Sequence, residues 1–144
     1  MTLMKVEYLL DTNILIYAAS ANETELKKKT RAIELVHTRF GTSTQVIQEF
    51  YATVIRKPDK PLTPIAALQW IKRLEAQPCV VVDLPLIQAA IALSQRYRIN
   101  YWDGAILAAA ERLGAETVYT EDLNHGQSYG AVRVLNPFLC AVSV

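Results

Sequence analysis

"YLLDTNILIYAAS", residues 8–20, is a run of large apolar side chains broken once, by Asp11, Thr12 and Asn13. The break suits two roles. Asp, Thr and Asn all cap helix N-termini, so the stretch reads as a strand ending at Leu10 and a helix starting just beyond it. The same placement sets Asp11 at the carboxyl end of a buried strand, which is where ligands bind in an open α/β sheet. The rest of the chain discriminates between a cap and a site.

Strand and helix patterns alternate outward from this point. Val6 to Leu10 reads as the first strand and Ile14 to Ala19 as a short helix. "ANETELKKKTRAIELVHTRF" (residues 21–40) reads as a longer helix, with Asn22 and Glu25 in a capping-box arrangement. Leu26, Ile33, Val36 and Phe40 are its expected buried stripe. "GTST" (41–44) is a short strand or link, and Thr44 is expected to cap a helix through "QVIQEFYATVIRK" (45–57). The loop "KPDKPLTP" (57–64) holds three of the six prolines, and Thr63 and Pro64 fit N-cap and N1 of a helix over residues 64–76. "CVVVDL" (79–84) is a further apolar strand, with Asp83 as a cap. Helices follow over 85–98 and 102–114, the second closed by Gly114. "ETVYT" and "AVRVL" complete the strands.

Strands that are apolar almost throughout and alternate with helices predict a mainly parallel sheet covered on both faces, a three-layer α/β/α sandwich. The parts on either side of the proline loop each lack enough strands for a sheet, so residues 1–144 are expected to form one domain. The chain is 51% hydrophobic and 20% charged, which excludes a disordered polypeptide. A net charge of +1 is no general nucleic-acid footprint, although it hides local patches. Cys79 and Cys140 have no metal-like spacing and read as buried, reduced thiols of a cytoplasmic protein. Nothing resembles a signal peptide, and no run approaches the ~20 apolar residues of a membrane span.

Four acids stand out by their context. Asp11 and Asp122 both follow strands, and in a parallel sheet the carboxyl ends of strands share one edge. Asp103 opens a helix that runs antiparallel to the strand it feeds, so that helix starts at the same edge. Glu49 joins them if its neighbours Val46, Ile47, Phe50 and Tyr51 draw its helix face inward. Taken singly, Asp11 and Asp103 could be N-caps, Glu49 a solvent-facing helix residue and Asp122 a turn residue in "TEDLNHG". Taken together they form a set of carboxylates that resist ionising side by side. A divalent cation such as Mg²⁺ or Mn²⁺ relieves that repulsion and favours oxygen donors. Glu121 is expected to point away from this set, His125 to be an exposed loop residue and His37 to be structural.

The segments "LLDTNILIYAAS", "VIQEFYATV", "YWDGAILAAAERLGAETVYTEDLNHGQ" and "VLNPF" together resemble a PIN domain, and more narrowly the VapC toxins of toxin–antitoxin pairs. The resemblance spans essentially the whole chain. It implies a metal-dependent endoribonuclease using Mg²⁺ or Mn²⁺, and a VapB-like antitoxin as partner, with homodimers usual in the family. It carries the acidic quartet onto Asp11, Glu49, Asp103 and Asp122, with Thr12, Asn13 and Thr120 as accompanying polar residues.

An RNA backbone would then be followed by basic residues. Lys27, Lys28, Lys29 and Arg31 lie off the apolar stripe of their helix, and Arg56, Lys57 and Lys60 cluster near the proline loop. Such runs are also what a solvated helix face looks like. Tyr101 and Trp102, beside Asp103, could stack a base or belong to the core. Two other functions compete. A haloacid-dehalogenase-like phosphatase needs an Asp where Asn13 stands and a late lysine, yet no lysine follows Lys72. A non-catalytic PIN-fold binding module would keep the fold without needing all four acids.

Overall fold

In the computed structural model, which describes residues 5–20 and 26–140, strand β1 (Tyr8–Leu10) leads directly into helix α1 (Thr12–Ala19). The chain continues through α2 (Leu26–Val36), β2 (Thr42–Ser43), α3 (Thr44–Val54), α4 (Pro64–Leu74), β3 (Cys79–Val80), α5 (Leu84–Tyr97) and α6 (Tyr101–Leu113). It ends in β4 (Thr117–Tyr119), β5 (Ser128–Tyr129), β6 (Val132–Leu135) and the single turn α7 (Pro137–Cys140). Strand β4 is central: it pairs in parallel with β1 on one side and β6 on the other. Strands β2 and β3 pair in parallel, and a parallel bridge from Gly41 to Leu9 continues the sheet from β1 to β2. The order is therefore β3-β2-β1-β4-β6-β5, parallel except for the edge strand β5.

The helices form two packed groups, α1 to α4 with α7, and α5 with α6, giving the expected three-layer α/β/α sandwich. Leu9, Leu10, Val118 and Val134 on the strands are fully buried, as are Ile14, Leu15, Val46, Phe50 and Leu107 on the helices. Each such side chain contributes roughly 1.5–3 kcal/mol by leaving water. Closest packing occurs between α5 and α6. A Cβ added to Gly104 would lie 2.6 Å from the Ala90 carbonyl oxygen, so only glycine lets these two helices approach this far. No described helix is long and apolar enough to cross a membrane.

Several boundaries match the sequence reading. Thr63 caps α4 by accepting the Ala66 amide, Asp83 caps α5 by accepting the Leu86 amide, and Gly114 ends α6 at φ 72°. Others differ, each for a local reason. Ser43, not Thr44, caps α3, because its hydroxyl reaches the Val46 amide. The Thr44 hydroxyl instead accepts the Val82 amide, which takes that group from the ladder and confines β3 to Cys79–Val80. Helix α2 stops at Val36, where Thr38 turns its amide onto the Leu35 carbonyl. Its buried residues are Ala32 and Leu35, whereas Leu26 is exposed and Phe40 is buried beyond the helix. The Asn22–Glu25 capping box lies outside the described residues. Cys79 is a half-buried free thiol.

Candidate active site

Asp11 both caps α1 and stands just past the carboxyl end of β1. Its amide donates to the Tyr119 carbonyl at 3.1 Å, extending the β1–β4 ladder by one bond. Its φ/ψ of −73°/164° is extended, the helix begins at the next residue, and its carboxylate accepts the Thr12 amide at 2.7 Å. The other oxygen accepts the Thr120 hydroxyl, also at 2.7 Å. Because β1 and β4 pair with Leu10 opposite Tyr119, the residues just past each strand meet. The Thr120 hydroxyl oxygen also accepts the Asp122 amide at 3.0 Å, so one threonine ties together the strand ends that carry two acids.

The remaining acids come from two helices and a loop. The Thr12 hydroxyl donates to Glu49 Oε1 at 2.8 Å, drawing α3 toward the start of α1. The Asn13 amide nitrogen stands 3.4 Å from Asp122 Oδ2, while its Oδ1 is buried with no hydrogen-bond partner. Asp103 sits in the first turn of α6, but Asn100 is that helix's N-cap and accepts the Asp103 amide at 2.9 Å. The Asp103 carboxylate is therefore not needed as the cap. Asp11, Glu49, Asp103 and Asp122 line one cleft of about 380 Å³, with Thr12, Asn13, Gln45 and Trp102 beside them.

Their charges feel one another. The Asp11 carboxyl is pushed up to about 6: burial raises it most, bonds from Thr120 and Thr12 pull it down, and Asp122 and Glu49 add to the rise. Asp103 is also raised, first by burial, then by Asp122 and, less, by Glu49. Like charges gathered in a partly dry cleft favour a bound cation, and the donors here are oxygen throughout. Among the described residues no three His, Cys, Asp or Glu side chains stand as close together as ligands of one ion would. The acids line an open cleft and do not form a closed cage. That arrangement suits a small hard cation that keeps waters and takes only one or two carboxylates at a time.

Of the residues considered for RNA contact, Trp102 is 59% exposed and lines the cleft. It does not belong to the core. Lys27 and Arg56 are exposed and Lys57 is half-buried. Lys28 is engaged by Glu121 at 2.6 Å and by the Tyr17 hydroxyl at 3.2 Å. Glu121 accordingly faces away from the cleft. His37 Nδ1 lies 2.7 Å from the Ile33 carbonyl, and His125 Nδ1 accepts the Asn136 amide at 2.9 Å; neither lines the cleft. Gln45, absent from the sequence reading, is buried one helical turn before Glu49, with its amide nitrogen 3.5 Å from Glu49 Oε2. Its i, i+4 spacing from Glu49 is the signal that could have found it.

Comparison with known proteins agrees with this architecture. Residues 8–128 match the PIN domain family. No curated protein sequence gives a significant match. Among solved structures, the chain is similar to the Mycobacterium tuberculosis VapC20 toxin, described as cleaving the sarcin-ricin loop. The TM-score is 0.63 at 18% identity, over 81% of this chain and 90% of that one. It is also similar to FitAcB from Neisseria gonorrhoeae, with TM-score 0.60 at 22% identity, over 91% and 98% of the two chains. FitAB bound to an IR36 DNA fragment gives 0.64 at 23% identity, over 91% and 95%.

Proposed function

This chain belongs to the PIN domain family, and on that premise we propose that it is a metal-dependent endoribonuclease, the VapC-type toxin of a toxin–antitoxin pair. The observation that carries the reading is the convergence of Asp11, Glu49, Asp103 and Asp122 on one cleft, with the Asp11 carboxyl raised chiefly by burial and further by Asp122 and Glu49. One or two of these carboxylates at a time would hold Mg²⁺ or Mn²⁺, which when bound activates water and offsets charge on a phosphodiester. Thr120 and the Thr12 amide fix the Asp11 carboxylate, Thr12 fixes Glu49, and Asn13 steadies Asp122. Preformed hydrogen bonds of this kind orient the acids before substrate arrives.

Trp102, which lines the cleft, would stack an unpaired base, and Lys27, Arg56 and Lys57 are the cations that would follow the phosphate backbone. A VapB-like antitoxin is the partner that would restrain the enzyme, which acts as a homodimer in the cytoplasm with residues 1–144 as one PIN-like domain. A match to the VapC20 and FitAB folds is in keeping with such a pairing.

Two measurements test the reading. Calorimetric titration of Mn²⁺ into the wild-type protein and into Asp11→Asn should give binding that the variant loses. Incubation with structured RNA and Mg²⁺ should give internal cuts that the variant does not make. Equal metal binding by both proteins, with intact RNA, would identify a non-catalytic binding module on the same fold.

A further inference from the structure

Glu121 immediately precedes Asp122, and its two oxygens are taken by different helices. The Tyr17 hydroxyl on α1 donates to Oε1 at 2.8 Å, and Lys28 Nζ on α2 donates to Oε2 at 2.6 Å. Lys28 also donates to the Tyr17 hydroxyl at 3.2 Å and lies over the rings of Tyr17 and Phe138, 5.1 and 5.5 Å from their centroids. Tyr17 meets Phe138 edge-on at 5.3 Å. The Glu121 and Lys28 side chains are only 22% and 36% exposed, so this is a partly dry, charge-assisted network and not a free surface pair.

The network bears on the cleft because of where it grips. Glu121 and Asp122 are consecutive in the bend that follows β4, so a grip on the Glu121 side chain restricts where the Asp122 backbone, and with it the carboxylate, can go. Asp122 is exposed, and the bond its carboxylate receives from Asn13 is long, at 3.4 Å. Tyr17 lies on the helix that Asp11 caps and that carries Thr12 and Asn13. The same three side chains thus join the Asp122 loop to the element presenting Asp11.

We propose that Tyr17, Lys28 and Glu121 are positioning residues, a clamp that sets the Asp122 carboxylate against Asp11, Glu49 and Asp103. Lys28 then serves the site from behind and does not bind the RNA backbone. The consequence for catalysis rests on the nuclease reading; the clamp itself does not.

The test is a set of variants read in two ways. If the clamp positions Asp122, Tyr17→Phe, Lys28→Met and Glu121→Gln each lower kcat, on the order of tenfold or more. KM and the salt dependence of RNA binding stay near wild type. The Lys28→Met/Glu121→Gln double variant loses about as much as either single one, since both break one unit, and Lys28→Arg regains most of the activity. If Lys28 instead contacts phosphate, Lys28→Met raises KM and flattens the salt slope by about 0.7. Glu121→Gln then tightens RNA binding by releasing the lysine, and that pair of results overturns the proposal. Amide exchange over residues 120–124, followed by mass spectrometry without RNA, should accelerate in every clamp variant. Unchanged exchange overturns the clamp even if the wild-type protein cuts no RNA, whereas faster exchange in a protein that cuts no RNA supports the clamp and rejects the nuclease reading.

Discussion

Asn100 accepts the amide of Asp103 at 2.9 Å, so the residue that starts α6 and the acid that faces the cleft are different residues. The two roles are separable by mutation. Asn100→Ala should destabilise the fold by about 1 kcal/mol through the lost cap. Asp103→Asn should abolish cleavage while leaving the melting temperature equal or higher without metal, because it removes a charge already disfavoured by burial, Asp122 and Glu49. Calorimetric melting of both variants in EDTA checks this; a clearly destabilised Asp103→Asn protein would return Asp103 to a structural role.

The raised Asp11 carboxyl makes stability depend on pH in a stated direction. Its folded value of about 6 exceeds the ordinary carboxyl value of 3.8, so the folded state binds the extra proton between those values. The stabilisation is complete below 3.8 and is lost as pH rises through about 6. In EDTA, urea unfolding should therefore show this contribution falling over that window and flat above it. Asp11→Asn keeps a capping side chain and removes this component. At neutral pH it should be more stable than wild type by up to about 3 kcal/mol. A pH profile identical in wild type and variant would show that Asp11 is not the group responsible.

Fragment ends report the chemistry of the cut. His37 and His125 are both turned to backbone groups outside the cleft, so no histidine pair is placed to promote attack by the RNA's own 2′-hydroxyl. Water attack at a carboxylate-held metal leaves a 5′-phosphate and a 3′-hydroxyl. Mass spectrometry should find those ends, and cleavage should stop in EDTA and persist in His37→Ala. A 2′,3′-cyclic phosphate formed at full rate in EDTA would eliminate the metal route.

Toxin function predicts a cellular outcome. Expression of the wild-type chain alone should arrest growth, Asp103→Asn should not, and co-expression of a neighbouring small antitoxin should restore growth. Colony counts after induction decide it, with soluble protein verified by blotting; harmless accumulation of soluble wild type would count against a toxin.

Packing under Asp103 can be tested without touching any acid. Gly104→Ala would drive a Cβ to 2.6 Å from the Ala90 carbonyl and 3.1 Å from Ser94 Cβ. Overpacking of this kind costs about 1–3 kcal/mol, and here it should also displace the first turn of α6. Urea midpoints and cleavage rates should fall together, whereas Ala89→Gly, on the exposed side of α5, should lower only the midpoint.

Local chemistry made much of this architecture readable. The polar break after Leu10, the Thr63–Pro64 start and the Gly114 stop each follow from the preferences of one or two neighbouring residues. Topology then brought the strand-end acids to one edge, because parallel strands leave little freedom there. What escaped depends on partners distant in sequence. Thr44 had the composition of a cap, but Val82 claimed its hydroxyl from 38 residues away. Glu121 is 93 residues from Lys28, and no spacing rule links a loop acid to one lysine in a run of three. The β5–β6 hairpin was missed because "QSYG" lacks the alternation of a strand and pairs only briefly, at Ser128 and Tyr129.

Asp11 and Thr120 are 109 residues apart in the chain, yet one hydrogen bond joins them. Closing so long a loop costs entropy before its contacts repay it, and such distant pairings form slowly in folding. Helices α1 to α6 all lie between these two groups in the chain, and none of them by itself brings the groups together. The assembled acidic cleft is therefore a property of the finished topology and of no contiguous fragment. On the nuclease reading, a nascent chain that has not yet made β4 would be harmless to the RNA around it, and an opening that parts β1 from β4 would disarm the protein while most of its helices still stand.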